Sequence, residues 1–271
     1  MKRTLIALAA LVAPALAAAG TVTVKGSDTM VILAQRWAED YMKKNPSKKV
    51  QVTGGGSGTG IAALVNGTTD VATASRTIKD AEAAQVKAKF NAAPVETVVA
   101  RDGVAIYVND GNPVTQLTID QVKGMYLGDI KNWKEVGGKD ARIVIYSREN
   151  SSGTYVFVKE HVLGNQDFAA EAQTLPGTAA VVNAVAKEAN GVGYGGAAYA
   201  KGVKEVKIVG KDGQAYLPNA ENVKSGKYAL SRPLHMYTRG APAGEAKEFI
   251  AFCLSSAGQG IVTQVGYYPI K

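Results

Sequence analysis

Three times along this chain a short β-patterned run breaks into a turn of glycine, serine and threonine and passes directly into a helical pattern. Residues 21–25 alternate around Val22 and Val24, run into Gly26-Ser27-Asp28-Thr29, and are followed by Leu33, Trp37 and Tyr41 at i, i+4 and i+8. Residues 49–53 read as a strand and residues 54–60 as a glycine loop. Ile61, Leu64 and Val65 then form a helical stripe closed by Gly67, and residues 70–74 form a further buried strand. Residues 142–146 are strand, 147–153 polar turn and 154–163 helix, with Gly164 just past its end. Strand and helix in regular alternation predict an α/β fold.

Two longer runs set the expected domain organisation. Residues 96–109 are almost continuously β-like, broken by Arg101-Asp102-Gly103, and residues 228–239 form a second long run around Arg232-Pro233. If both cross between lobes, residues 20–100 and 232–271 make lobe I and residues 101–231 make lobe II, each a mixed sheet flanked by helices, with a hinged cleft between them. The competing expectation is one open sheet with long edge strands.

Each of the three turns puts small residues at a helix start, where backbone N–H groups lack intrahelical partners and the helix dipole is positive. Ser27-Asp28-Thr29, Gly56-Ser57-Gly58-Thr59 and Ser151-Ser152-Gly153-Thr154 could therefore converge on one anion. Arg76 and Arg148 add planar guanidinium groups able to grip two oxygens of a tetrahedral oxyanion. Taken singly, each turn is equally an ordinary helix cap and each arginine an ordinary salt bridge.

Other chemistries find less support. One Cys and two His, His161 and His235, are too few for a disulfide framework or a Cys- or His-built metal site. Cys253 lies in an apolar helical run and reads as core. The glycine loop at 54–60 lacks the lysine of a phosphate-binding P-loop, and no Gly-x-Ser-x-Gly elbow occurs. Gly191-Val192-Gly193-Tyr194-Gly195-Gly196 has dinucleotide spacing but follows a helix-like stretch, so it reads as a glycine-rich strand end. The net charge of +8 is spread too evenly for a nucleic-acid groove.

The N-terminus carries Lys2 and Arg3, an apolar run over residues 5–14, and small residues with candidate cleavage after Ala17 or Ala19. This pattern predicts a secretory signal peptide over residues 1–19. A membrane anchor would need about 20 continuous apolar residues. No cysteine follows for lipid attachment, and signal removal leaves 29 basic against 23 acidic residues, a net of +6.

With these turns the chain closely resembles the PstS family, the periplasmic phosphate-binding proteins of bacterial phosphate ABC transporters. The runs that carry the resemblance are Gly26-Ser27-Asp28-Thr29-Met30, residues 54–61, residues 70–76, Arg101-Asp102-Gly103 with its flanks, residues 126–133 and residues 147–157, the Arg-x-x-x-Ser-Gly-Thr segment being the most specific. The resemblance implies a two-lobed type II periplasmic-binding fold and dehydrated phosphate held between the lobes. It also implies no cofactor, no catalysis, and delivery to membrane permease subunits by a monomer. Its ligand positions fall on Thr29, Ser57, Arg148, Ser152, Gly153 and Thr154.

One departure has chemical content. Better-known members have, after the strand at 70–74, an aspartate that accepts a proton from phosphate, whereas this chain has Arg76 there; conversely, Asp28 stands where they have a first-turn threonine. A carboxylate in the site repels fully ionised sulfate and can bond to protonated phosphate. Asp28 is therefore the expected acceptor, with Glu149 in reserve and a plain helix-capping role for Asp28 as the alternative. Another tetrahedral oxyanion such as sulfate, molybdate or tungstate, or an exported phosphatase-like activity, are the competing functions.

Overall fold

The structure is a computed structural model that describes residues 20–270. The expected signal peptide at 1–19 lies outside the described residues. The first half of the chain runs β1 (Thr21–Gly26), α1 (Val31–Lys44), β2 (Lys49–Thr53), α2 (Ser57–Asn66), β3 (Val71–Ala74), α3 (Asp80–Phe90), β4 (Pro94–Val108), β5 (Gln116–Leu117) and α4 (Ile119–Leu127). It continues through β6 (Val144–Arg148), α5 (Gly153–His161), β7 (Gln173–Leu175), α6 (Thr178–Lys187), β8 (Gly191–Gly196), β9 (Lys204–Val209) and β10 (Ala215–Tyr216). The last elements are α7 (Ala220–Lys224), β11 (Ser231–Arg239), α8 (Gly244–Leu254) and α9 (Ser256–Val265).

The expected periodicities find their physical basis here. Leu33, Trp37 and Tyr41 are all buried on one face of α1, and the Trp37 indole N–H donates to the Gly258 carbonyl at 2.8 Å, tying α1 to α9. Helix α2 begins at Ser57, inside the expected glycine loop, and ends on Gly67 in the left-handed conformation. The strand expected at 142–146 lies two residues later, because Tyr146, Ser147 and Arg148 pair with β7. Residues 191–196 form a complete buried strand rather than a strand end.

The strand path is β2-β1-β3-β11-β4-β8-β6-β7, with β9 joining β4, β5 and β10. Strands β4 and β11 lie in its middle, so the edge-strand alternative does not hold. Arg101-Asp102-Gly103 does not break β4; its pairing partner changes there instead. Residues 94–103 pair antiparallel with β11, and Val104 to Val108 pair with β8. A bulge at Leu234 and His235 absorbs a register shift between β11 and β4.

Two large apolar clusters flank this change of partner. One contains Val24, Leu33, Trp37, Val99, Ala100, Leu234, Phe249 and Ile261; the other contains Val104, Ile106, Val122, Trp133, Phe157, Val192 and Leu230. The first draws on both ends of the described chain and the second on its middle. Cys253 is buried in the first cluster, where burial pushes its thiol pKa well up. Among the described residues no helix is long and apolar enough to cross a membrane.

Glu205, on β9 opposite Tyr107 of β4, has a buried Oε1 with no hydrogen-bond partner among the described residues. Burial, reinforced by the charge of Asp102, pushes its carboxyl up to about 7. A carboxyl whose pKa is raised on folding favours the folded state while protonated, so its contribution is lost as pH rises from the ordinary glutamate range through about 7. Thermal melts of Glu205→Gln should therefore match the parent near pH 5 and exceed it at pH 8. The gain should be about 1–2 kcal/mol once partial exposure to solvent is allowed for. Equal melting differences at both pH values would refute this.

Candidate functional site

The three turns meet. Strand β1 ends at Gly26 and passes through a single helical turn, Asp28–Met30, into α1; β2 passes through Gly54, Gly55 and Gly56 into α2; β6 passes through a tight turn into α5. Thr29 Oγ1 and Thr154 Oγ1 lie 2.9 Å apart, the Gly58 N–H donates to the Ser151 carbonyl at 2.8 Å, and the Ser151 hydroxyl donates to the Gly55 carbonyl at 3.2 Å. The Ser152 hydroxyl caps α5, accepting from the Thr154 and Tyr155 N–H groups.

Beneath the turns runs a chain of small hydroxyls. Ser27 Oγ donates to Ser75 Oγ at 3.0 Å, and the Ser75 N–H donates to Ser57 Oγ at 3.0 Å. All three serines are buried, together with Thr29, Ser152 and Thr154. The absence of a side chain at Gly153 permits this approach. A Cβ there would collide with Ser57 Oγ and stand 2.7 Å from Ser75 Oγ. Gly56 is held to glycine twice over, by its φ of 93° and because a Cβ there would stand 2.6 Å from the Ser151 carbonyl oxygen.

Arg148, at the end of β6, is 1% exposed and engaged on every side. Its Nε and Nη2 fork onto Glu149 at 3.0 and 2.9 Å, Nη2 also meets Asp28 Oδ2 at 2.7 Å, and Nη1 donates to Thr178 Oγ1 at 2.9 Å. Burial alone disfavours its charge, but the Glu149 hydrogen bonds and the charges of Glu149 and Asp28 outweigh that and raise its pKa. Burial likewise works against the ionised Glu149, and Arg148 overcomes it, holding that carboxyl below its usual range.

Asp28 bridges rather than caps. It makes no capping bond to its own turn; its Oδ1 accepts the Gly55 N–H at 2.8 Å and its Oδ2 accepts Arg148, linking the first, second and third turns. Both Glu149 oxygens face Arg148. Arg76 is turned elsewhere. Its guanidinium forks onto Glu82 of α3 at 2.8 and 2.7 Å and caps the Thr77 carbonyl, with Nη2 passing beside Gly58. The structure thus brings Asp28, Thr29, Ser57, Arg148, Ser152, Gly153 and Thr154 together, with Arg76, held by Glu82, at their edge beside Gly58.

Sequence reasoning missed a further buried cation. Arg232 of β11 is 4% exposed and sits in register with Asp102 of β4, whose Oδ2 accepts its Nε at 3.1 Å and its Nη2 at 2.8 Å. Its Nη1 donates to the Ser75 carbonyl at 3.0 Å, and its Nη2 reaches Thr29 Oγ1 at 3.3 Å and Thr154 Oγ1 at 3.0 Å. Burial pushes the Asp102 carboxyl up, opposed by Arg232. The one available signal was an arginine inside an apolar strand pattern, which a single sequence does not tie to turns so far away. Ser75, inside the 70–76 run and directly beside Arg76, was not singled out either. The Tyr199 and Tyr267 hydroxyls, donating to the carbonyls of Asp28 and Thr29, hold the first turn from behind.

Chemically, the cluster combines helix N-termini, hydroxyls and a buried guanidinium, the groups that strip water from an oxyanion and replace it with fixed donors. Known proteins resemble this chain along most of its length. The model of the PBP superfamily domain matches residues 12–257. Phosphate-binding protein PstS of Pseudomonas aeruginosa is 34% identical over 269 residues, covering 93% of this chain and 83% of that protein, and its Bacillus subtilis namesake is 34% identical over 255 residues, covering 93% and 82%. Among solved structures, a Clostridium perfringens protein crystallised with bound phosphate superposes with a TM-score of 0.85 at 32% identity, covering 93% of this chain and 100% of that one. An ABC-type phosphate transport receptor from Vibrio cholerae gives a TM-score of 0.73 at 33% identity, covering 91% and 99%.

Proposed function

Because the chain belongs to the PstS family of phosphate-binding proteins, within the PBP superfamily, we propose that it captures inorganic phosphate outside the cytoplasm and delivers it to an ABC-type importer. Its fold is the type II periplasmic-binding fold, and it is a solute-binding protein, not an enzyme. The observation that carries the reading is the buried Arg148 lying among three converging helix starts. On this reading residues 1–19 are a signal peptide removed on export, and the mature monomer docks on permease subunits.

Residues 20–100 and 232–271 form one lobe and 101–231 the other, joined by β4 and β11. Phosphate enters the open cleft, receives hydrogen bonds from the Gly153 N–H, from the Ser57 and Ser152 hydroxyls, from the Thr29–Thr154 hydroxyl pair and from Arg148, and the lobes close because these groups surround it only in the closed form. Arg76, engaged by Glu82, stays outside this set. The Asp28–Arg148, Gly58–Ser151 and Thr29–Thr154 contacts link the two lobes so defined.

The local charge favours phosphate over sulfate. One arginine is shared by two carboxylates, Asp28 and Glu149, so the immediate site is net negative before any ligand arrives. Binding then rests on oriented donors, and a ligand that brings its own proton meets an acceptor. Asp28, whose Oδ2 points at Arg148, is that acceptor. Calorimetry with phosphate, sulfate, molybdate and tungstate, beside a phosphomonoester turnover assay, tests the function. Tight phosphate binding without turnover is expected, whereas preference for another oxyanion, or turnover, overturns the reading. In Asp28→Asn, phosphate affinity should fall about tenfold, the worth of one charge-assisted hydrogen bond, and sulfate binding should become measurable. Unchanged phosphate affinity with sulfate still excluded would remove Asp28 from this role.

A further inference from the structure

We propose that Arg232, fixed by Asp102, is a positioning residue that makes the hydrogen-bonded pair of Thr29 and Thr154 hydroxyls present one O–H donor toward the bound anion. This rests on the reading above, in which those two threonines hold phosphate. Each threonine hydroxyl has one proton and can also accept, so nothing in the residue type decides which way it faces. A guanidinium can only donate. Of the two hydrogens on Arg232 Nη2, one is claimed by Asp102 Oδ2 at 2.8 Å, and the other is shared between Thr29 Oγ1 at 3.3 Å and Thr154 Oγ1 at 3.0 Å.

The two hydroxyls are also 2.9 Å from one another, so one donates to the other. With Arg232 occupying their acceptor side, whichever hydroxyl receives that bond has its own proton left to point away from the guanidinium, toward an anion. Without Arg232 the pair could equally present lone pairs to the ligand, and lone pairs repel a phosphate oxygen. The effect is one of orientation more than of charge, because Asp102 neutralises Arg232 at contact distance. The arrangement is firmly held. Arg232 and Asp102 are register partners on the two central strands, Nη1 is anchored to the Ser75 carbonyl, and the guanidinium lies 5.2 Å over the Phe157 ring.

A mutant cycle read by phosphate calorimetry tests this. Truncating Arg232 alone would strand a buried carboxylate, so the variant is Arg232→Gln with Asp102→Asn, made in the parent and again in a protein carrying Thr29→Val and Thr154→Val. Expected is about a tenfold loss of affinity in the parent and less than a twofold further loss in the valine protein, since there are no hydroxyls left to orient. If the Gln/Asn protein does not fold, Arg232→Lys completes the same cycle, because one ammonium cannot serve Asp102, the Ser75 carbonyl and both hydroxyls together. An equal loss in both backgrounds, or none in the parent, overturns the proposal while leaving the site reading intact. Parent-like phosphate affinity in the valine protein overturns both.

Discussion

Replacing Arg148 by alanine should weaken phosphate binding by roughly a hundredfold to a thousandfold while the protein still folds. Among the described residues the guanidinium is the one cation contacting Asp28 and Glu149, and it donates to both as well as to Thr178. Deleting it removes a proposed donor to the anion and also leaves two carboxylates beside the site with no counter-charge. Truncating one partner of a buried, hydrogen-bonded charge set costs about 2–5 kcal/mol, and each 1.4 kcal/mol is about tenfold in affinity. Arg148→Lys keeps the charge and loses the fork, so it should recover only part of the loss. Calorimetry decides, with melting curves to establish folding; affinity within about threefold of the parent in the alanine protein would mean that the anion is held elsewhere.

How much of this was legible before the structure follows from how local each cause is. The turn into α1, the Leu33-Trp37-Tyr41 stripe and the Gly67 stop are decided within a few residues, and the structure has them where the pattern puts them. The same holds for the Ser152-Gly153-Thr154 helix start, where a hydroxyl cap and a small residue suffice. What a strand pattern cannot give is its partner. Residues 101–103 look like a break because a charged pair and a glycine interrupt an apolar run, yet Asp102 is matched by Arg232 across β11 and the strand continues. Strand β6 is displaced by pairing with β7, a neighbour that sequence periodicity does not see.

Among the site residues the division is the same. Ser57 and Arg148 stand beside turns whose chemistry announces them. Arg76 stands beside a strand end too, but a bidentate partner six residues on, Glu82 in the first turn of α3, takes its guanidinium. Its local context was as suggestive as that of Arg148, and only the tertiary arrangement separates them. Arg232 is the converse: nothing nearby in sequence marks it, and its contacts to Thr29 and Thr154 span 203 and 78 residues. Residues proposed to bind by backbone and hydroxyl at a helix start are therefore readable from sequence, whereas the buried charges packed against them are not.

Gly153→Ala separates closure from folding, because its two expected effects have opposite signs. Gly153 is absent from the positive-φ positions and is the first residue of α5, so alanine meets no backbone strain there and improves helix propensity, by up to about 1 kcal/mol. In the arrangement of the structure, however, the new methyl would stand 2.7 Å from Ser75 Oγ and 3.0 Å from Ser57 Cβ, besides colliding with Ser57 Oγ. Rotating the Ser57 hydroxyl away would break its bond from the Ser75 N–H and still leave the Cβ too close. Overpacking of this kind costs about 1–3 kcal/mol, and it falls only on the state in which α2 and α5 touch. Phosphate affinity should therefore drop about tenfold to a hundredfold while the ligand-free melting temperature holds or rises. A lower melting temperature with parent-like affinity would reverse both signs, and would mean that α5 packs this closely in the unliganded protein and yields when the anion arrives.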